Sequence, residues 1–161
     1  MINLNFNGIE YSYENSKNFI HSRGGIYHKN KYLTNNDFDV FLQSYSENKI
    51  LNGSYCFIKK NGCKIIVSVD CVRSIPIFYS KLHNQIFLSD KANWIESKIS
   101  KRKYDSVSKK EFWLSGFVLG NKTIHTDIYQ IPAGNILLID LEKTFFFNLL
   151  NKFQYSLLPS V

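Results

Sequence analysis

An α+β domain, with antiparallel sheet packed against helices, is the fold class this sequence predicts, and three observations predict it. Segments of strand character come in runs with helical segments at intervals, not in the strict alternation that builds a doubly wound parallel sheet. One hairpin is signalled strongly: Tyr55, Cys56, Phe57 and Ile58, then Asn61 and Gly62, then residues 63–69 rich in β-branched side chains. The length of 161 residues suits one well-buried core and is short for two. No internal repeat and no linker rich in Pro, Gly or Ser divides the chain.

The elements follow in order. Over the first 30 residues, short apolar runs separated by Asn, Gly and Ser read as strands, with a tight bend at Arg23, Gly24 and Gly25. Asn35 and Asn36 can cap a helix whose apolar positions Phe38, Phe41, Leu42 and Tyr45 repeat at helical spacing. Asp37 and Asp39 stand in its first turn, where the helix dipole favours carboxylates. The Asn61–Gly62 hairpin comes next, its turn expected to be type I′ because both residues tolerate positive φ. Strands are expected at 75–79 and 86–88, then a helix capped by Ser89 that carries Ala92, Ile95 and Ile99. Ser108 and Glu111 form a capping-box pattern, with Val107 and Phe112 as the staple, for a helix bodied at 112–118. Residues 124–131 lead to a Pro132–Ala133–Gly134 turn, and 136–141 reads as the final strand. A domain over 1–141 and a C-terminal tail or linker start over 142–161 are therefore expected.

Composition narrows the function classes. The net charge of +7 admits an acidic partner, yet the lysines are scattered. The one dense cluster, Lys98 through Lys101, Arg102 and Lys103, lacks the interleaved aromatics of a base-stacking platform, so nucleic-acid binding is not expected. Cys56, Cys63 and Cys71 fit neither a disulfide framework nor a metal knuckle, and His21, His28, His83 and His125 have no ligand spacing. No apolar run approaches a bilayer span and the first residues do not read as a secretory signal, so a cytoplasmic location without membrane attachment is expected.

Six stretches, taken in order, carry a family resemblance. GGIYH at 24–28 is similar to Asn-Gly-Glu-Ile-Tyr-Asn, and TNNDFDVFLQSY to a helix opening Ser-Asp-x-Glu, with Asp37 in register. LNGSYCFIKKNGCKIIVSVD resembles a hairpin beginning Leu-x-Gly-x-Phe-Ala-Phe, and VDCVRSIPIFYS resembles Asp-x-x-Gly-x-x-Pro-Leu-Tyr-Tyr, with Asp70, Pro76, Phe78 and Tyr79 matching. IFLSDKANWI and TIHTDIYQIPAGNILLID resemble the family's Phe-Ala-Ser-Glu-x-Lys-Ala-Leu and Leu-Pro-Pro-Gly segments. The family is the N-terminal class II glutamine amidotransferase domain of asparagine synthetase-like proteins, of the Ntn-hydrolase type. SDKANWI and WLSG particularly resemble the corresponding domains of lasso peptide cyclases, and the chain as a whole is similar to those of β-lactam synthetases as well. The fold this implies is a truncated Ntn-hydrolase-like αββα sandwich of antiparallel sheets flanked by helices.

The resemblance also locates losses. The family's nucleophile is an N-terminal Cys with its own α-amine as base, and here Ile2 follows Met1. The Asn that serves the oxyanion aligns with Arg23, the neighbouring Gly with Gly24, and the Glu with Gly25. Asp37 matches the carboxylate that holds the amine of glutamine. Arg23, Gly24 and Asp37 are therefore the ligand-binding candidates, with no catalytic residue and no metal ligand among them. No phosphate-binding glycine loop is present, so ATP and Mg2+ are expected only in a separate synthetase partner and no cofactor in this chain.

Three functions remain in view. The first is a non-catalytic scaffold or docking module, cut from or encoded beside an ATP-dependent amide-forming synthetase, with exposed aromatics as its contact surface. The second is a small acyl-transfer or amidohydrolase enzyme rebuilt on Cys71, or on Ser74 beside Arg73. The third is a peptide-binding module of a lasso-like modified-peptide pathway, using an exposed strand edge.

Overall fold

Strand Asn52–Asn61 buries six residues in succession, Tyr55 to Lys60, which a strand can do only when both faces of its sheet are covered. Its side chains alternate accordingly. Cys56 and Ile58 enter the main core, whereas Tyr55 and Phe57 enter a second cluster on the opposite face. The rest of the architecture follows from this two-sided burial. In the computed structural model the described residues are 1–13, 17–28, 31–33, 37, 40–41, 51–142 and 146–151.

Eleven strands and two helices are described. In chain order they are β1 (Ile2–Phe6), β2 (Ile9–Tyr13), β3 (Phe19–His28), β4 (Lys31–Leu33), β5 (Asn52–Asn61), β6 (Lys64–Val69), β7 (Phe78–Leu82) and β8 (Gln85–Ser89). They continue with α1 (Ala92–Lys98), α2 (Ser106–Ser115), β9 (Tyr129–Gln130), β10 (Asn135–Asp140) and β11 (Phe146–Asn151). One sheet has the order β2-β1-β8-β7-β9 and the other β11-β10-β6-β5-β3-β4. Every pairing is antiparallel except that of β1 with β8, which run parallel from Ile2 opposite Ile86 to Asn5 opposite Ser89.

The main core lies between the sheets. Ile2, Leu4 and Phe6 of β1 and Ile86 and Leu88 of β8 pack against Ile58, Ile65, Val67 and Val69 of the six-stranded sheet. Each such side chain contributes about 1.5–3 kcal/mol relative to an exposed one. On the outer face of the five-stranded sheet, α1 places Ile95 against Phe87, with Trp94 and Phe78 partly buried beside them. On the outer face of the six-stranded sheet, Ile26, Tyr55 and Phe57 pack with Phe41, a residue of helical backbone. An α+β sandwich of two mainly antiparallel sheets with helices is therefore the architecture.

Several local expectations are corrected. The β5–β6 loop is Gly62–Cys63, with Asn61 still paired to Lys64 and positive φ at Gly62 alone, so it is not the type I′ turn expected at Asn61–Gly62. The strand expected at 75–79 begins at Phe78, because residues 70–74 wrap around the Asp70 carboxylate and Pro76 has no N–H for a ladder. Ser89 ends β8 instead of capping α1; its Oγ accepts from Lys91 N at 2.9 Å, and Lys91 is the N-cap. Asp105 replaces Ser108 as the cap of α2, accepting from Ser108 N at 2.6 Å. A carboxylate at that end also gains from the helix dipole, and these bonds hold its pKa below the ordinary value. The α2 helix then stops at Gly116, whose φ of 78° forms a left-handed C-cap, short of the expected end at 118.

Strand β10 is not the last: β11 pairs along its whole length, within the stretch expected to be a tail. The helix expected around Phe38, Leu42 and Tyr45 lies outside the described residues apart from positions 37, 40 and 41. No helix among the described residues is long and apolar enough to cross a membrane.

His21 packs among Phe6, Tyr11, Tyr13 and Phe19, with ring centroids 4.5–6.0 Å away, and its Nε2 hydrogen-bonds the Tyr13 hydroxyl at 2.8 Å. Burial pushes its pKa below the ordinary 6.5, and burial is also the leading cause of a lowered value at His125. The folded chain then binds fewer protons than the unfolded chain in this range. Stability therefore falls as pH drops below about 6.5 and levels off once the folded-state pKa values are passed. His21→Phe should flatten this dependence. Urea midpoints of wild type and variant at about pH 7.5 and pH 5 check it; equal acid losses in the two proteins would contradict it.

Candidate functional site

Arg23, Gly24 and Gly25 lie inside β3, in continuous register with Cys56, Tyr55 and Ser54 of β5, so the expected tight bend is absent. What the glycines supply instead is close approach. Gly24 has φ +97° and Gly53, across the ladder, has φ +114°. A Cβ on Gly24 would collide with the Ser54 carbonyl, and one on Gly53 with the Gly25 carbonyl. The two backbones therefore meet without intervening side chains, at the strand segment that carries Arg23.

Arg23 reaches across to the other sheet. Its guanidinium donates to Asp90 Oδ2 at 3.0 Å, and the same oxygen accepts from Asn7 N at 3.1 Å. Asp90 is nearly buried, its side chain 3% exposed against 47% for Arg23. Its Oδ1 is buried with no hydrogen-bond partner. Cys56 lies in the field of this pair. Burial pushes its thiol up to about 12, Asp90 and Asp70 add to the rise, and Arg23 offsets part of it. A thiol in that environment stays protonated and does not attack a carbonyl.

Neighbouring residues 70–74 are organised by one carboxylate. Asp70 Oδ2 accepts from Tyr55 N at 3.1 Å and Ser74 N at 3.0 Å, while Oδ1 accepts from Val72 N at 2.9 Å and the Ser74 hydroxyl at 3.3 Å. Arg73 takes the position of the glycine in the resembled Asp-x-x-Gly motif and keeps a glycine-like φ of 55°. Its side chain donates to the Gln130 amide oxygen. Gln130 in turn donates to the carbonyls of Val118 and Gly120. Ser74 and Arg73, both considered as parts of a rebuilt enzyme, are thus engaged in holding loops.

Among the candidate residues, Arg23 and Gly24 are adjacent at the β3–β5 contact, and Asp37 is exposed on helical backbone. Ile2 is not close to the Arg23 pair along the sheet. It is fully buried opposite Ile86, and Asp90 lies four residues further along the chain, just past the end of β8, about 13 Å away at the usual strand rise. Sequence reasoning missed Asp90, which lies 67 positions from its partner. It also missed the role of Arg73, although a non-glycine residue at the motif's glycine position was a usable signal.

Over residues 1–149 the chain matches the family described as the glutamine amidotransferase domain. The chain belongs to that family. No curated relative matches it. The family match and the ordered motifs agree on a glutaminase-like module, and in this amidotransferase domain an ion pair and two facing glycines occupy the region of the Gly-Gly-Ile-Tyr motif.

Two measurements probe this region. Gly24→Ala meets both the Ser54 carbonyl and a positive φ, so it is expected to cost at least about 3 kcal/mol in denaturant unfolding; a loss under about 1 kcal/mol would contradict the close approach. Iodoacetamide should label exposed Cys63 and Cys71 in the native amidotransferase domain and reach buried Cys56 only after unfolding. Mass spectrometry of the native protein checks this, and native labelling of Cys56 would mean an open site there.

Proposed function

We propose that this amidotransferase domain does not hydrolyse glutamine and acts as a scaffold and docking module for an ATP-dependent amide-forming synthetase of the asparagine synthetase type. One observation carries the reading. The position that the resemblance assigns to the oxyanion donor, Arg23, is engaged with the nearly buried carboxylate of Asp90. A guanidinium already neutralised by a buried carboxylate is a poor donor to a transient oxyanion.

The two-sheet sandwich with helices outside supports placing the fold with the Ntn-hydrolase type. On this reading ATP and Mg2+ belong to the synthetase partner, and this chain contributes shape and contact. The rebuilt-enzyme alternative has less support, since Ser74 donates its hydroxyl to Asp70 and Arg73 is held by Gln130.

Ammonia release from glutamine by the purified chain, alone and mixed with the nearest encoded synthetase-like protein, tests the proposal. No release above the uncatalysed background is expected in either case. Release that disappears in Cys71→Ala or Ser74→Ala would overturn it in favour of the rebuilt enzyme.

A further inference from the structure

Helix α2 is held at both ends and covered on almost no side. At its start, Asp105 caps the first turn, Asp105 N donates to Ile124 O at 3.0 Å, and Thr126 N donates to Lys103 O at 3.1 Å. At its end, Gly116 N donates to Phe112 O at 2.8 Å, and Gln130 anchors Val118 and Gly120. Its single buried residue is Ser108, a polar one. Helices of globular domains usually derive their stability from an apolar face turned inward, and here the large apolar side chains are exposed instead.

The exposed side chains are large. Trp113 is 86% and Leu114 89% exposed, while Phe112, Phe117 and Leu119 are 50–63% exposed. At roughly 200 Å2 per large apolar side chain these five present about 700 Å2. That approaches the ~800 Å2 that each partner contributes to a stable protein interface. Of the fourteen large hydrophobics exposed among the described residues, seven fall within residues 104–119, so the exposure is concentrated in one place.

Charge and shape select the occupant. Residues 101–122 carry six Lys and Arg against two acidic side chains, Asp105 and Glu111, which leaves +4 of the chain's +7 in this segment. A second copy laid on this surface by a two-fold axis would bring like charges together. Phe112, Trp113 and Leu114 are consecutive, so they project about 100° apart around the helix. A flat lipid surface meets one face of a helix, whereas a groove encloses its sides.

We infer that α2 and the turn to Leu119 form a preset plug that enters an apolar groove edged by carboxylates on the synthetase partner; the inference rests on the docking reading above and names the surface that does the docking. The basic rim steers approach, and Trp113 and Leu114 supply the buried anchor. Both side chains are almost wholly exposed, so replacing them leaves the fold intact.

Titration calorimetry of the full chain against the nearest encoded synthetase-like protein tests this. Wild type should bind with an affinity that salt weakens, Trp113→Ser with Leu114→Ser should lose at least about tenfold, and Lys109→Glu with Lys110→Glu should bind more slowly and more weakly. Ile9→Ser, a change at an exposed apolar residue on β2, should bind as wild type does. If the complex forms equally well with the Trp113 and Leu114 variant, the plug is refuted while the docking reading stands. If wild type does not bind, both fail, and two further results reassign the surface. A dimer in sedimentation that the same variant dissociates would give it to a second copy, and adsorption to phosphatidylglycerol vesicles would give it to a lipid surface.

Discussion

Asp70 ties the loop that follows it to two segments distant in the chain, β5 and the turn before β10. It accepts the amide of Tyr55 from the centre of β5 and the amides of Val72 and Ser74 from the loop leading to β7. Its own backbone N–H returns to Tyr55 O, and its carbonyl accepts Gly134 N from the turn before β10. With 1% exposure and four donors around two oxygens, the charge is nearly fully solvated by protein. Removing it would leave the buried amide of Tyr55 and the part-buried amides of Val72 and Ser74 without this acceptor, so the register of β5 and the entry to β7 both depend on it. Arg73 can keep its left-handed backbone only because this loop is so fully specified, and through Gln130 that constraint reaches the turn beyond α2.

Much of this was legible in the sequence, for identifiable reasons. Hairpin β5–β6 announced itself through Asn61, Gly62 and the β-branched run, because turn chemistry and strand propensity are local signals. Clustering of strands pointed to an antiparallel sandwich, and the order of weak motifs pointed to a glutamine amidotransferase domain. Local competition was harder to judge. Asp105 and Ser108 are both good caps three residues apart, and what the sequence could not weigh was the bridge of Tyr104 to His125 and the Asp105 bond to Ile124 that fix where the helix begins. The parallel pairing of β1 with β8 left no trace, since pairing partners far apart in the chain share no local pattern.

The candidate site divides along the same line. Arg23 and Gly24 could be found by motif position, whereas Asp90, which gives Arg23 its role, could be found only by folding the chain. The ion pair joins β3 to the end of β8 at the edge of the core, so the Arg23 position carries a structural tie between the two sheets. There a desolvated carboxylate is held between a cation and a backbone amide.

Strand β1 occupies an interior place in its sheet, between β2 and β8, yet Ile2 and Ile86 are 84 positions apart. During synthesis β1 and β2 can form their hairpin early, while the other edge of β1 has no partner until residues 85–89 have been made. Throughout that interval Ile2, Leu4 and Phe6 present an apolar strand with open amides, the kind of edge that invites pairing with another chain. Closing so long a loop also makes this the slowest topological step of the domain. Birth of the five-stranded sheet is therefore gated by chain elongation, and the nascent chain is most exposed to aggregation and to chaperones in the interval before β8 emerges.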